Sequence, residues 1–175
     1  VGVNAVSFIN QYPVLENVLT LVNTSFYKRQ TSNASIDYTY SKRNFHFFGE
    51  CALDDALAGA FLGGVLMSVA HRADLSLLYR NFSPAYQSMY INAFAESSAP
   101  NNERGFFSGI CLRPNDNWSV SCYLDLFQFP WLRYRVSSPS CGRDALVRIL
   151  FRPRKKMEIY AVFQQQKKEI NIDNQ

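Results

Sequence analysis

Residues Asn115–Val136 read NDNWSVSCYLDLFQFPWLRYRV. From Trp118 to Leu126 the residues alternate. Trp118, Val120, Cys122, Leu124 and Leu126 form one set, and Ser119, Ser121, Tyr123 and Asp125 the other. A period of two puts successive side chains on opposite sides of a strand, so this segment is a strand between two different environments. The neighbouring stretches repeat the pattern: NNERGFFSGICLRP (Asn101–Pro114) before it and GRDALVRILFRPRKKMEIYAVFQQQKK (Gly142–Lys168) after it. Ala145, Val147, Ile149 and Phe151 oppose Asp144, Arg148 and Arg152; Met157, Ile159, Ala161 and Phe163 oppose Glu158, Tyr160, Val162 and Gln164.

Upstream, Ala34–Tyr40, Asn44–Leu53, the glycine-spaced run Leu57–Val69 and Asp74–Phe82 also read as strands. The connections between them alternate in length. Short ones (Ser41–Arg43, Ala70–Ala73, Pro114–Asn117, Pro153–Lys156) fall at every second position, and longer ones (near 54–56, 83–104 and 129–143) fall between. The chain therefore divides into a leading segment, 1–33, with one possible strand at Asn17–Arg29; eight strands over about 34–168, with short basic turns on one rim and long loops on the other; and a polar tail, 169–175.

Composition narrows the class. The chain has 175 residues, enough for one domain; 15 % are aromatic, with ten Tyr and fourteen Phe, and only 18 % are charged. That is few charges for a soluble domain, where about a quarter is usual. A net charge of +4 is too mild to imply nucleic acid. No run of about 18 apolar residues marks a membrane-spanning helix, and Val1–Asn10 has no basic region of the kind that opens a signal peptide. Cys51, Cys111, Cys122 and Cys141 show no CxxC spacing. Cys111 and Cys122 fall on opposite faces, so they read as free thiols rather than a disulfide framework or a zinc site.

Strands of about 9–11 residues, short turns on one side and long loops on the other are the layout of an outer-membrane barrel. The expected fold is all-β, an antiparallel up-and-down transmembrane β-barrel or a segment of a larger one. In lipid every backbone polar group must pair within the protein, so such a sheet closes on itself and turns its apolar set outward. Asp37, His46, Glu50, Arg80, Asp125, Arg148, Arg152 and Glu158 then fall inside. Phe82, Tyr86, Trp118, Phe127, Phe129, Trp131 and Tyr134 fall near strand ends, as an interfacial aromatic girdle would. A soluble lipocalin-like barrel or sandwich would show the same alternation with the apolar set inward. Loop asymmetry and low charge favour the membrane form.

Three stretches carry a resemblance: Asn33–Leu53, Leu75–Arg104 and Trp118–Val136, with the elements RNFHFFGE, YRNFSPAY, NAFAES, NNERG and DLFQFPWLRYRV in order. They resemble the β-barrel region of outer-membrane proteins that carry helix-hairpin-helix repeats ahead of the barrel. The resemblance implies a bacterial outer-membrane location. It also implies a barrel with more strands than these, of which this chain would be a segment. In that family the helix-hairpin-helix repeats imply a link to DNA binding or uptake, so nucleic acid is a partner by family analogy alone.

The loop Phe94–Arg104 (FAESSAPNNER) is the foremost contact candidate. Phe94, Glu96, Asn101, Asn102, Glu103 and Arg104 can hydrogen-bond a partner or fold back into the lumen and close the barrel mouth. The second is Trp131, Arg133, Tyr134 and Arg135, suited to phosphate and stacking contacts with lipid headgroups or nucleic acid, or to interfacial anchoring with snorkelling arginines. His46 and Glu50 stand four apart on one strand face, about 13 Å, too far for a single metal ion. No GxSxG-type motif accompanies either histidine, so no catalytic residue, metal or cofactor is expected. The expected function is a transport or structural component of a cell-envelope assembly. Its partners would be membrane lipid, lipopolysaccharide and other envelope proteins. A soluble ligand-binding barrel and an outer-membrane barrel hydrolase are the alternatives.

Overall fold

The alternating segments all become strands. The computed structural model describes residues 1–15, 27–88, 93–97, 100–132, 136, 138–154 and 157–169. Nine strands follow in chain order: β1 (Gly2–Leu15), β2 (Tyr27–Lys42), β3 (Phe45–Asp54), β4 (Gly59–Ala70), β5 (Ala73–Phe82), β6 (Glu103–Asn115), β7 (Trp118–Phe129), β8 (Ser140–Arg154) and β9 (Met157–Lys168). Each pairs antiparallel with the next in a single up-and-down sheet. The eight strands expected from 34 onward are β2–β9. β2, however, begins at Tyr27, and the leading segment contributes β1 besides. Most of the strand expected at Asn17–Arg29 lies outside the described residues.

The sheet is open. β1 and β9 are its edges, so the closed barrel expected from the sequence is, over these residues, a run of nine strands that have not met end to end. A barrel closes only when its first and last strands exchange backbone hydrogen bonds.

Loop lengths sort by rim. Two-residue turns at Arg43-Asn44, His71-Arg72 and Asp116-Asn117 occupy one rim. Arg43 sits at a left-handed φ of 52°, as the reversal of a tight hairpin requires. The other rim carries the connections 55–58, 83–102 and 130–139. Asp54 builds the first of these: its Oδ1 accepts the N–H groups of Ala56 (2.9 Å) and Ala58 (2.8 Å).

Register fixes two faces. Asp37, Glu50, Leu62, Arg80, Gly105 and Phe127 stand side by side on β2 to β7. This is the inner face, because the 83–102 loop folds over it. All eight ionisable residues that the alternation grouped together, from Asp37 to Glu158, lie on it. The outer face carries Ile36, Tyr38, Phe45, Phe47, Leu66's neighbours Val65 and Met67, Leu75, Leu77, Ile110, Leu112, Leu124, Leu126, Val147, Ile149, Ile159 and Phe163.

Burial departs from the usual rule, with charged side chains buried beside aromatic ones and large apolar side chains left exposed. The most buried side chains include Arg80 and Glu103, both at 0 % exposure, with Asp54, Asp125 and Asp144 also buried. On the outer face Ile36, Phe45, Leu124, Leu126, Ile149 and Phe163 are all exposed. Along β7 the two sets separate cleanly: Leu124 and Leu126 are exposed while Asp125, Phe127 and Phe129 are buried. On the outer face Tyr38 lies across Gly49, where a Cβ would stand 2.9 Å from its Cζ. An aromatic ring thus covers backbone that glycine leaves bare.

Two expectations change. Phe82, Tyr86, Phe127 and Phe129 are buried rather than displayed in a girdle, because Phe82, Phe127 and Phe129 share the parity of Arg80 and Asp125 and Tyr86 sits in the loop that packs on them. Trp118 does face outward and stacks on Phe151 with ring centroids 4.4 Å apart. Cys141, expected in a loop, is the second residue of β8. All four cysteines are free, and Cys111 and Cys122 sit on opposite faces, with Cys111 beside Ser119 and Ser121.

Candidate functional site

The inner face is filled at its long-loop end. Arg80, near the end of β5, reaches sideways past β6. Its Nε donates to Glu103 Oε1 at 2.6 Å, its Nη1 to Asp125 Oδ1 at 2.9 Å and its Nη2 to Asp125 Oδ2 at 3.0 Å. The planar guanidinium suits this two-sided, bidentate pairing. The reach depends on Gly105 lying between: a Cβ there would stand 2.7 Å from the Arg80 Nε and Nη2. Phe94 from the loop closes the set from above, its ring centroid 5.3 Å from the Arg80 guanidinium carbon, and it packs edge-on against Phe107.

The same loop is fastened to strands on both flanks of the sheet. Glu103 accepts the backbone N–H of Glu96 at 3.0 Å and of Ser97 at 3.3 Å. Glu96 in turn accepts from Gln166 Nε2 on β9 at 2.7 Å and pairs with Lys168. On the far side Asn33 Nδ2 on β2 donates to the Gln87 carbonyl at 2.8 Å, and the Gln87 N–H donates to Asp54 Oδ2 at 3.1 Å. One loop therefore touches β2 and β9, which are seven strands apart in the sheet order. That is possible only because the sheet curls around its inner face.

Asn102 ties this loop to the next. It holds a left-handed φ of 52°. Its Oδ1 accepts the Trp131 N–H at 2.7 Å and its Nδ2 donates to the Trp131 carbonyl at 2.9 Å. Tyr86, almost fully buried, packs with Phe82, Ala52 and Ala60 beneath the loop. Burial pushes its phenol above the usual tyrosine range, against the opposing effect of a hydrogen bond with Ser88. Next to the charged cluster Tyr123 donates to Asp144 Oδ2 at 2.8 Å, and Gln164 Nε2 donates to the same carboxylate at 3.0 Å.

The other half of the inner face is hollow. A cavity of about 700 Å³ at the short-turn end is lined by Ser41, His46, Ser68, Asp74, Ser121 and Tyr123, among others. Ser41 Oγ lies 2.7 Å from His46 Nδ1, but Asp74 is engaged by Ser68 and Arg113. Among the described residues no group of three potential metal ligands comes together.

Of the residues singled out in the sequence, Phe94, Glu96, Asn102, Glu103 and Trp131 converge on this assembly. Asn101 lies beside it, half-buried. Arg104 does not join: it points to the outer face and its Nε donates to Asn81 at 3.1 Å. Arg133, Tyr134 and Arg135 lie outside the described residues. Sequence reasoning put Arg80 and Asp125 inside but not together, and it missed Asn33, Asp54, Tyr123, Asp144, Gln164 and Gln166. The alternation placed Tyr123, Asp144 and Gln164 on the polar side and left Asn33, Asp54 and Gln166 without a face; pairing any of them required the register. No family model matches the chain, and no curated protein or solved structure compared with it gives a match.

Proposed function

We propose that this chain is part of an outer-membrane β-barrel, acting as a transport or structural component of a cell-envelope assembly, with its lumen closed on the long-loop side. One observation carries the reading: apolar side chains occupy the exposed face of the sheet while Arg80, Glu103, Asp125 and Asp144 are buried on the other. In water that arrangement wastes the hydrophobic effect, and in lipid it is required. The apolar set on β7 runs from Trp118 to Leu126, roughly 26 Å along the strand at about 3.3 Å per residue. With a barrel's tilt that is about 20 Å of height, near the ~25 Å apolar band of such proteins. A soluble ligand-binding barrel would ask for the reverse, an apolar interior. The sequence resemblance to helix-hairpin-helix-bearing outer-membrane proteins supports the same reading.

The filled long-loop end argues against a permanently open pore. Passage through the lumen would require the 83–102 loop to leave the Arg80 cluster. The test is fractionation followed by electrophoresis of unboiled and boiled samples. Retention in membranes after a urea wash is expected. A heat-dependent mobility shift would mean that these strands close by themselves, and retention without a shift that further strands complete the barrel. Release into buffer without detergent would overturn the reading.

A further inference from the structure

A second feature lies on the outer face, at the long-loop rim of β5–β9. Here a groove of about 650 Å³ is lined by Tyr79, Phe106 and Leu126 along its floor and by Arg104, Arg143 and Lys167 along its rim. Register explains the set. Tyr79, Phe106, Leu126, Arg143 and Lys167 form one row across β5, β6, β7, β8 and β9, and Arg104 stands in the next row toward the loops. Arg104, Arg143 and Lys167 are all exposed.

Little of this positive charge is neutralised within the protein. Arg104 gives its Nε to the neutral Asn81, Arg143 forms no salt bridge among the described residues, and Lys167 acts on the Glu169 carboxyl, which its charge helps to hold low. The one acid in the groove, Glu169, accepts the Cys141 N–H at 2.8 Å, which holds its carboxyl below the usual range. The groove thus carries three positive charges and one negative beside an apolar floor. These cations lie just where the apolar face meets the long loops, and nowhere else does the apolar face of β5–β8 carry charge between Phe106 and Trp118.

We infer that this groove binds the phosphate of a lipopolysaccharide lipid A, with Arg143, Lys167 and Arg104 on the phosphate and an acyl chain along Tyr79, Phe106 and Leu126. The inference rests on the barrel reading, under which the long loops face outward and this rim meets the lipopolysaccharide leaflet. Three cations at the loop rim, two of them continuing an apolar row and one in the row beyond it, complement an amphiphile whose anionic group adjoins its hydrocarbon. They would be costly neighbours for lipid lacking that charge.

The test uses the full chain in a neutral detergent, titrated with diphosphorylated lipid A, dephosphorylated lipid A, phosphatidylglycerol and inorganic phosphate. The wild type is expected to bind diphosphorylated lipid A in preference to the other three. The double variant Arg143→Ala/Lys167→Ala should bind it roughly 25-fold more weakly, at several-fold per cation. Arg72→Ala, at the opposite rim, should bind as wild type. Both variants change exposed side chains, and an unaltered far-UV spectrum checks that each retains its strands. Equal binding of dephosphorylated lipid A would overturn the inference, as would equal binding of phosphatidylglycerol or an unchanged double variant. Those results leave the barrel reading intact, whereas release of the chain from membranes without detergent would remove both.

Discussion

Arg80 on β5 and Asp125 on β7 are joined by two parallel hydrogen bonds, 2.9 and 3.0 Å, across a strand that neither belongs to. The intervening β6 contributes Gly105 beneath the guanidinium and Glu103 beside it. One cation is thereby shared by two carboxylates, and the loop above is held through the same Glu103. The relationship links β5, β6, β7 and the 83–102 loop into one unit.

Removing the cation should therefore cost more than a single ion pair. Arg80→Met leaves Glu103 and Asp125 facing each other in a buried site, and stranding buried charge typically costs about 3–5 kcal/mol. We expect a clearly lower urea midpoint for the detergent-folded variant, followed by the fluorescence of Trp118 and Trp131. Replacing all three groups together, Arg80→Met with Glu103→Gln and Asp125→Asn, should recover part of the loss. A triple variant no more stable than Arg80→Met would count against a shared charge cluster.

Gly105→Ala tests the geometry of the reach. The added methyl would meet the Arg80 guanidinium, and overpacking of this kind costs about 1–3 kcal/mol. Gly59→Ala is the matched control, because its Cβ would find nothing nearer than Leu53 Cδ2 at 3.7 Å. Denaturant melts should separate the two variants. Equal stability would mean that Arg80 has room to move aside.

Asn102→Ala should loosen the two long loops from each other. It removes the acceptor for the Trp131 N–H and the donor for the Trp131 carbonyl, and it places alanine at a left-handed φ. Lost hydrogen bonds and strain together should cost about 2 kcal/mol. Asn102→Gly relieves the strain alone and should fall between. Limited proteolysis reads the effect directly: cleavage within 83–102 should quicken in the order wild type, glycine, alanine.

Leu124→Arg and Ser121→Arg place the same charge on opposite faces of β7. Under the membrane reading the outer-face variant should lose about 2–4 kcal/mol and insert poorly, while the inner-face variant, beside the hollow half of the lumen, is milder. Folding yield into lipid vesicles measures both. The opposite order would mean that the apolar face is not lipid-facing.

Much of this was legible in the sequence where a local rule sufficed. Trp118–Leu126 announces a strand because alternation depends only on the pleat. The turns at Arg43, His71 and Asp116 were recognisable because short basic or Asn/Asp-rich breaks interrupt that alternation. β1 was not legible, since GVNAVSFINQYPVL mixes polar and apolar residues without a regular period. Phe127 and Phe129 were misplaced for a related reason: an aromatic at a strand end reads as an anchor, and only its parity with Asp125 shows that it turns inward. The Arg80 cluster was half visible. Arg80 and Asp125 were assigned to the polar side and Glu103 to the loop before β6, but their meeting depends on Phe82 standing opposite Glu103 and Arg104 opposite Gln128, which no single segment encodes.

The sequence by itself determined that this chain is all-β, that its strands run up and down, and that each strand divides into an apolar and a polar face. These are consequences of side-chain period and turn chemistry, both local. The tertiary structure decided the rest: which face is covered, how the 83–102 loop folds onto Arg80, Glu103 and Asp125, and how Arg104, Arg143 and Lys167 gather from three strands at one rim. Those depend on cross-strand register and on the curl of the sheet. A one-residue slip between strands would exchange every inward and outward side chain while leaving each strand's own pattern unchanged.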